Sequence, residues 1–274
     1  MARIAVIGLV GKSMFFDVPH FHAGGETITA RGYYEEWGGK GFNQAVAAAR
    51  QDAAVAFLGA CSAEDKKAIE DFCRAEGIVA RLCAKRRPTA CAAILTDGTG
   101  ETRVTVYPGA ELEVKDVDCF AGSIATADFL LLNNEVPEAV NLAAVEIAQR
   151  YGVRILFNPA PARRLPKAIL EAVSIFTPNE LEEKLLAESL ELKAEVVTTL
   201  GAKGCRIRST GEVIPAPSAK AVDSTGAGDT FSAVLAVRLA EDETLRDACV
   251  AANAAAAQSV EKRFVMSALP RRRE

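Results

Sequence analysis

Short apolar runs alternate with stretches that favour helices along most of the chain. The apolar runs are 3–8, 55–59, 129–132, 155–157, 175–176 and 196–200, and the clearest helical stretches between them are 43–50, 63–76 and 137–151. Apolar runs of this length, bounded by glycine or polar residues, are typical of strands buried on both faces. The repeated order predicts an α/β fold, with a mainly parallel central sheet and helices on both faces.

Two stretches break this alternation. Residues 91–95 and 102–107 are β-forming runs around a turn rich in Asp and Gly, which predicts a hairpin. Residues 26–36 also carry β-forming side chains. We expect these stretches to form a small β lid, with its strands within 12–37 and 89–108.

Polar residues follow several of the predicted buried strands. They are 133–135, Asn158, Asn179 and Thr199. Ligands of such folds bind beyond the carboxyl ends of the strands, so these residues mark the expected binding edge of the sheet.

The composition is that of a globular protein. The chain has 274 residues, of which 50% are hydrophobic and 25% charged, and it contains neither a repeat nor a low-complexity linker. We therefore expect a single domain over 1–274. The formal net charge is −4, whereas nucleic-acid binders more often present a basic face, so nucleic acid is not an expected partner.

The cysteines and the longest apolar stretches indicate where in the cell the protein is expected. The seven cysteines are odd in number and include no C-x-x-C pair, which indicates reduced thiols in the cytoplasm instead of a disulfide framework or a zinc site. The apolar start, 1–10, is too short to span a membrane, and 248–257 is better explained as a buried helix. We expect no membrane association.

The strongest chemical signal is the segment 222–231, VDSTGAGDTF. Gly226, Ala227 and Gly228 are small, and a helix is predicted to follow them. A glycine-rich turn that leads into a helix binds anions, because unpaired N–H groups and the helix dipole both favour negative charge. Asp229 in the first turn would stabilise any helix, but beside an anion site it can also accept the proton of an attacking hydroxyl.

A second glycine-rich segment is 37–44, WGGKGFNQ. Three glycines around Lys40, with Asn43 close behind, can form an ordinary tight turn. An exposed backbone beside Lys and Asn would also suit a polyol, whose hydroxyls need several directed donors and acceptors.

Together these segments resemble the ribokinase-like, PfkB-type family of carbohydrate kinases. Other parts of the chain extend the resemblance in order: 25–27, Glu135, 158–163, 177–182 and 199–204. Several ordered segments are far more specific than any one motif. The resemblance implies an ATP-dependent phosphotransferase that acts on a hydroxymethyl group of a sugar.

The resemblance also implies a role for each matched residue. Asp229 would be the catalytic base, and Gly226, Ala227 and Gly228 would form the anion hole. The sugar would be bound by Gly39, Lys40, Asn43 and Glu135, and the nucleotide by Asn179, Thr199, Gly201 and Asn253. Glu182 would help to hold Mg²⁺ through water, because Mg²⁺ dehydrates reluctantly. A homodimer through the lid is implied as well.

The match fails at the sugar site. Gly11 and Ser13 occupy the positions where ribokinases have an Asn and an Asp for the sugar hydroxyls. Asp17 would compensate only if its loop were remodelled, so D-ribose recognition in the usual manner is in doubt. This leaves two alternatives: a kinase of nucleosides or other ribosyl compounds, and, in a different class, a non-catalytic sugar or nucleotide sensor.

Two further departures concern the cation loop and a helix. Asp223 and Thr225 match half of the family's monovalent-cation site, but Phe264 replaces a glycine in the other half. Because Phe264 would obstruct close backbone approach, we expect little or no dependence on K⁺. A helix is expected to be curtailed between Glu183 and Glu195.

Overall fold

The computed structural model describes residues 1–187 and 193–272. In chain order the strands are β1 (Arg3–Ile7), β2 (Gly11–Asp17), β3 (Gly32–Gly38), β4 (Ala54–Ser62), β5 (Ile78–Lys85), β6 (Ala90–Thr96), β7 (Thr102–Tyr107), β8 (Phe129–Asn133), β9 (Arg154–Asn158), β10 (Ile175–Phe176), β11 (Glu195–Thr199), β12 (Cys205–Ile207) and β13 (Val213–Ile214). The α-helices are α1 (Lys40–Ala49), α2 (Ala63–Ala75), α3 (Val114–Asp118), α4 (Ala121–Ala125), α5 (Glu138–Tyr151), α6 (Lys167–Ala172), α7 (Glu180–Ala187), α8 (Ala227–Ala240) and α9 (Leu245–Ser259).

Within the described residues, the central sheet has nine strands in the order β13-β12-β11-β10-β9-β8-β1-β4-β5. The strands from β11 to β5 are all parallel, and β12 and β13 add an antiparallel edge. The predicted α/β fold and parallel sheet are therefore confirmed. The short antiparallel edge and β5 were not predicted.

Helices cover both faces of this sheet, as alternation along β1 shows. Ile4 and Val6 point into a core formed with α1, α2, α8 and α9. Ala5 and Ile7 point into a second core formed with α3 to α7. A strand that is apolar on both faces requires a helical layer on each, as the continuous apolar run predicted.

The lid is a separate four-stranded sheet with the order β3-β2-β6-β7. β6 and β7 form the predicted hairpin, and β2 joins it by parallel pairing with β6. The prediction for 26–36 was wrong at 26–31, since the strand begins only at Gly32. Glu26 is held instead in a local turn, where its Oε2 accepts the N–H of Ala23 at 2.9 Å.

The segment after α9 returns to the C-terminal end of α1. Arg50, at the end of α1, donates from its Nη1 to the carbonyls of Met266 and Leu269 at 2.6 and 3.0 Å. Its guanidinium also forms a bidentate pair with Glu76 at 3.0 and 2.6 Å. This largely buried anchor fixes the C-terminal segment between α1 and the lid.

The helix expected to be curtailed near Glu183 is α7, which is described over Glu180–Ala187. Most of the remaining stretch before Glu195 lies outside the described residues. Among the described helices, none combines the length and the apolar character that a membrane span requires.

Candidate active site

Two cavities meet at the start of α8. The first, which we call the lid cavity, has a volume of about 480 Å³ and lies between the lid and the ends of the central strands. The second, the helix cavity, has a volume of about 540 Å³ and lies between α8, α9 and the loop after β13. Gly226 lines the lid cavity, whereas Ala227 and Gly228 line the helix cavity. The predicted anion-binding turn therefore separates two binding spaces.

The predicted sugar-side residues are brought together in the lid cavity. Its wall includes Gly11, Ser13, Gly39, Lys40, Asn43, Glu135, Thr225, Gly226 and Asp229. The lid contributes a mostly apolar wall opposite these groups, formed by Ala92, Ile94, Val104 and Val106.

Asp229 lies in the first turn of α8 and is only 4% exposed. Its Oδ2 accepts a hydrogen bond from Nδ2 of Asn43 at 2.8 Å, and its Oδ1 accepts one from Nε2 of Gln44 at 3.3 Å. Burial raises the pKa of this carboxyl, while Lys40 and the two amides oppose the rise. A buried carboxyl with a raised pKa and fixed orientation is what a general base requires.

Glu135 and Lys40 form the polar floor beside Asp229. The backbone N–H of Lys40 donates to Oε2 of Glu135 at 2.7 Å. Burial raises the pKa of Glu135 to about 7. The pKa of Lys40 is raised chiefly by the carboxylate of Asp229, with smaller contributions from Glu135 and Glu182. In the site, the ammonium of Lys40 therefore interacts with the carboxylates of Asp229, Glu135 and Glu182.

The turn before α8 depends on Gly226. Its φ of 78° lies in the left-handed region, and a Cβ added there would lie 2.6 Å from Cγ1 of Val265. Both the conformation and the space therefore require glycine. The N–H of Ala227 already donates to the carbonyl of Ser224 at 3.3 Å, so the later amides of the helix start are better placed to bind an anion.

The two residues that depart from the family pattern have different surroundings. A Cβ on Gly11 would lie 2.7 Å from the carbonyl oxygen of Ala90, so the parallel pairing of β2 with β6 leaves no room there for a larger residue. Ser13 lines the lid cavity. Asp17 does not compensate, because it lies at the far end of β2 and pairs with Arg263.

Three of the predicted nucleotide-side residues, Thr199, Gly201 and Asn253, line the helix cavity. Asn253 is fixed there by a hydrogen bond from its Nδ2 to the carbonyl of Ile214 at 2.9 Å. Asn179 differs: it is exposed, and its Oδ1 accepts the N–H of Glu182 at 2.9 Å at the start of α7.

Glu182, the predicted Mg²⁺ residue, lies on the same turn of α7. Its Oε2 accepts the N–H of Asn179 at 2.8 Å, and the side chain is 8% exposed. Neither Asn179 nor Glu182 is among the described residues that line the helix cavity.

Sequence reasoning missed several contributors to the site. Gln44 donates to Asp229 directly and is fully buried, but in the sequence it is only one polar residue in an alanine-rich helix. Asn134, which lines the lid cavity, lies within the predicted binding edge 133–135, but residues 216–219, which line the helix cavity, were missed. The latter loop carries small residues without a recognisable pattern, so only the fold reveals it.

The expectation about Phe264 was wrong in its premise. The φ of Phe264 is 68°, so its backbone occupies the left-handed region that glycine favours. Its N–H donates to Oδ2 of Asp223 at 3.1 Å, and Oδ1 of Asp223 accepts the N–H of Thr225 at 3.0 Å. The bulky side chain therefore does not deflect the backbone from this loop.

Comparison with known proteins shows similarity to ribokinases in both sequence and structure. A ribokinase of Haemophilus influenzae is 34% identical over 99% of this chain and 96% of its own length. The crystal structure of ribokinase from Thermotoga maritima matches with a TM-score of 0.88 and 31% identity, covering 99% of this chain and 97% of that one. A ribokinase from Cryptococcus neoformans var. grubii, solved in complex with ADP, matches with a TM-score of 0.83 and 28% identity over 99% of this chain and 97% of its own.

A family model also covers nearly the whole sequence. The model for pfkB family carbohydrate kinases matches residues 1–272. With the fold, the two cavities and the turn that separates them, this match shows that the chain belongs to the pfkB family of carbohydrate kinases.

Proposed function

We propose that this protein transfers the γ-phosphoryl group of ATP to a hydroxymethyl group of a sugar. The observation that carries the proposal is the position of Asp229. It is buried at the helix start where a cavity with polyol-binding groups meets a second cavity of nucleotide size. A kinase needs the acceptor hydroxyl, the base and the phosphoryl group at one point, and this junction provides it. The Cryptococcus ribokinase was solved in complex with ADP, which supports an adenine nucleotide as one of the two ligands.

The proposed reaction uses Asp229 as base. Its carboxylate takes the hydroxymethyl proton as the oxygen attacks the γ-phosphorus, and the bond from that phosphorus to the bridging oxygen breaks to release ADP. Asn43 and Gln44 keep the carboxylate oriented. The N–H groups at the start of α8 stabilise the charge on the transferred group, because the helix dipole points the same way.

Magnesium would be held mainly by the nucleotide phosphates. In kinases Mg²⁺ keeps several waters and uses one or two carboxylates, and Glu182 offers one carboxylate for contact through water. The described residues contain no group of three or more metal-ligating side chains, which fits a shared site better than a protein cage. When bound, Mg²⁺ would neutralise phosphate charge.

Two features of the lid cavity bear on which acceptor binds. Ser13 gives the lid cavity a neutral hydroxyl where ribokinases carry a carboxylate, and the opposite wall is apolar. Both features favour an acceptor with an apolar or planar substituent, so a kinase of nucleosides or other ribosyl compounds is the second candidate. Retention of the buried Asp229 argues against the non-catalytic sensor.

We place the protein in the cytoplasm, since all seven cysteines carry free thiols.

Asp229→Asn should nearly abolish turnover. Losing a general base costs about 10²- to 10⁴-fold in rate, while the isosteric amide preserves the packing. Initial rates with ATP and Mg²⁺ would measure the loss, and isothermal titration would show that ATP still binds. Asp242→Asn, an exposed change just beyond the other end of α8, is the matched control. Near wild-type turnover in Asp229→Asn would remove the base assignment and revive the sensor.

Ser13→Asp should improve the use of D-ribose. A hydrogen bond to a charged group contributes about 1.5–3 kcal/mol, so we expect kcat/KM for D-ribose to rise at least about tenfold. A panel of sugars and nucleosides, assayed with both proteins, would test this and identify the natural acceptor class. No gain for D-ribose would show that the missing carboxylate is not what limits ribose recognition.

The affinity for the acceptor should depend on the ionisation of Glu135. Its pKa of about 7 means that the carboxyl is protonated below that pH and ionised above it. Because an ionised carboxylate accepts hydroxyl hydrogen bonds more strongly, KM for the acceptor should fall as the pH rises from about 6 to about 8. Glu135→Gln does not titrate and should lose this trend. An unchanged trend in that variant would assign it to another group.

The rate should depend little on potassium. Both oxygens of Asp223 already accept backbone N–H groups, whereas potassium needs several oxygen ligands at once. Initial rates in potassium and in a non-binding organic cation, at equal ionic strength, provide the measurement. Activation of about tenfold or more would show a complete cation site, which the glycine-like backbone of Phe264 would then permit.

A homodimer through the lid is the assembly we propose. Every residue of the edge strand β7 is exposed, and Tyr33 on β3 is 58% exposed. An exposed edge strand offers unpaired backbone groups to a second chain. Sedimentation velocity should give twice the chain mass of 29.0 kDa. A species of one chain mass at all micromolar concentrations would contradict the dimer.

A further inference from the structure

Residues 263–266 lie between the lid and the turn before α8. We call this segment the C-terminal bridge. It follows α9, and the guanidinium of Arg50 anchors it by donating to the carbonyls of Met266, its last residue, and Leu269. Its contacts on two sides join elements that are far apart in the sequence.

The lid side of the bridge is held by aromatic and charged contacts. The ring of Phe264 stacks on that of Tyr34, with centroids 3.9 Å apart and planes at 23°. It also meets Phe15 edge-on at 5.0 Å and 67°. The carboxylate of Glu36 accepts the N–H groups of Val265 and Met266 at 2.7 and 3.1 Å. Strands β2 and β3 are therefore attached to this segment directly.

The opposite side of the bridge holds the turn. The N–H of Phe264 donates to Asp223, whose other oxygen orients Thr225. The side chain of Val265 occupies the space next to Gly226, where a Cβ would collide with it. Thr225 and Gly226 both line the lid cavity beside Asp229. The bridge therefore contacts the predicted anion-binding turn through both a hydrogen bond and packing.

The backbone of Phe264 is unusual for its residue type. A φ of 68° is uncommon for a bulky residue, and such conformations persist only where the surroundings impose them. A glycine at position 264 would be enough for the contact with the turn, because the hydrogen bond to Asp223 uses only the backbone N–H. What the ring adds is its contact with Tyr34 and Phe15, which belong to the lid.

We propose that Phe264 is a positioning residue that couples the lid to the anion-binding turn. When the lid settles on a bound acceptor, Tyr34 and Phe15 fix the ring, and the bridge then holds Thr225 and Gly226 in the geometry that phosphoryl transfer requires. The kinetic part of this inference rests on the proposed function. The mechanical part, from the lid to the turn, does not.

Substitutions at Phe264 separate the ring from the backbone. Phe264→Gly and Phe264→Asn accept the left-handed conformation but remove the stack, whereas Phe264→Tyr keeps both. We expect the first two to keep their thermal midpoint within a few degrees and to lose on the order of tenfold in kcat, with KM for ATP nearly unchanged. Phe264→Tyr should retain wild-type kcat. Wild-type kcat in the glycine and asparagine variants would overturn the coupling.

Hydrogen exchange tests the mechanical part without any substrate. Tyr34→Ser removes the lid half of the stack, Tyr34→Phe preserves it, and Tyr151→Ser is a matched change at an exposed tyrosine at the end of α5, outside the lid. We expect faster amide exchange in residues 223–228 of Tyr34→Ser than in the wild type and the two controls. Equal exchange in all four proteins would overturn the proposal.

The two measurements distinguish failure of the coupling from failure of the proposed function. If the wild type phosphorylates no sugar or nucleoside, the proposed function fails, yet the exchange data still decide the mechanical link. If the wild type is active and the exchange is unaffected by Tyr34→Ser, the coupling fails while the kinase assignment stands.

Discussion

The buried carboxylate of Asp229 is the constraint on which the site depends. An ionised carboxylate with 4% exposure is costly unless nearby dipoles and cations compensate for the lost water. The amides of Asn43 and Gln44, the ammonium of Lys40 and the start of α8 provide that compensation. Since α8 supplies the carboxylate and α1 supplies Asn43, Gln44 and Lys40, the packing of α1 against α8 creates the environment of the proposed base.

The turn before α8 links this carboxylate to both cavities. Gly226 faces the lid cavity and the following residues face the helix cavity, so one short segment contacts the expected acceptor and the expected nucleotide. Val265 packs against Gly226 of that segment, and Asp223 accepts the N–H of Thr225. The proposed catalytic groups therefore lie on the helices that pack on the central sheet, whereas the lid contributes a mainly apolar wall to the proposed acceptor cavity. This division explains how the base can be retained while the sugar contacts change.

Contacts between the lid and the C-terminal bridge bear on the timing of the reaction. A kinase must exclude water before transfer, and a lid that also stabilises the anion-binding turn would complete both tasks together. Phe264 satisfies both sides at once: its backbone follows a glycine-like path towards Asp223, and its ring packs on Tyr34. The same residue that appeared to obstruct a cation loop thus has a structural use on the opposite face.

The amino-acid sequence alone determined the α/β class, the parallel sheet and the hairpin of the lid. Apolar runs and turn residues are local signals, and each is decided by neighbours a few positions away. The ordered motifs likewise predicted that Asp229, Lys40, Asn43 and Glu135 belong to one site, and all four line the lid cavity. Local pattern also explains the errors, since residues 26–31 contain β-forming side chains but form no strand, and Glu26 is held in a turn with Ala23.

Only the tertiary structure decided the contacts between distant segments. Nothing local in the chain indicates that Gln44 touches Asp229 or that Tyr34 stacks on Phe264. The conformation of Phe264 is imposed by Asp223 and the lid, against the preference of its own residue type. Local propensity is weak compared with many packed contacts, so the arrangement of the site followed from the fold and not from any single segment.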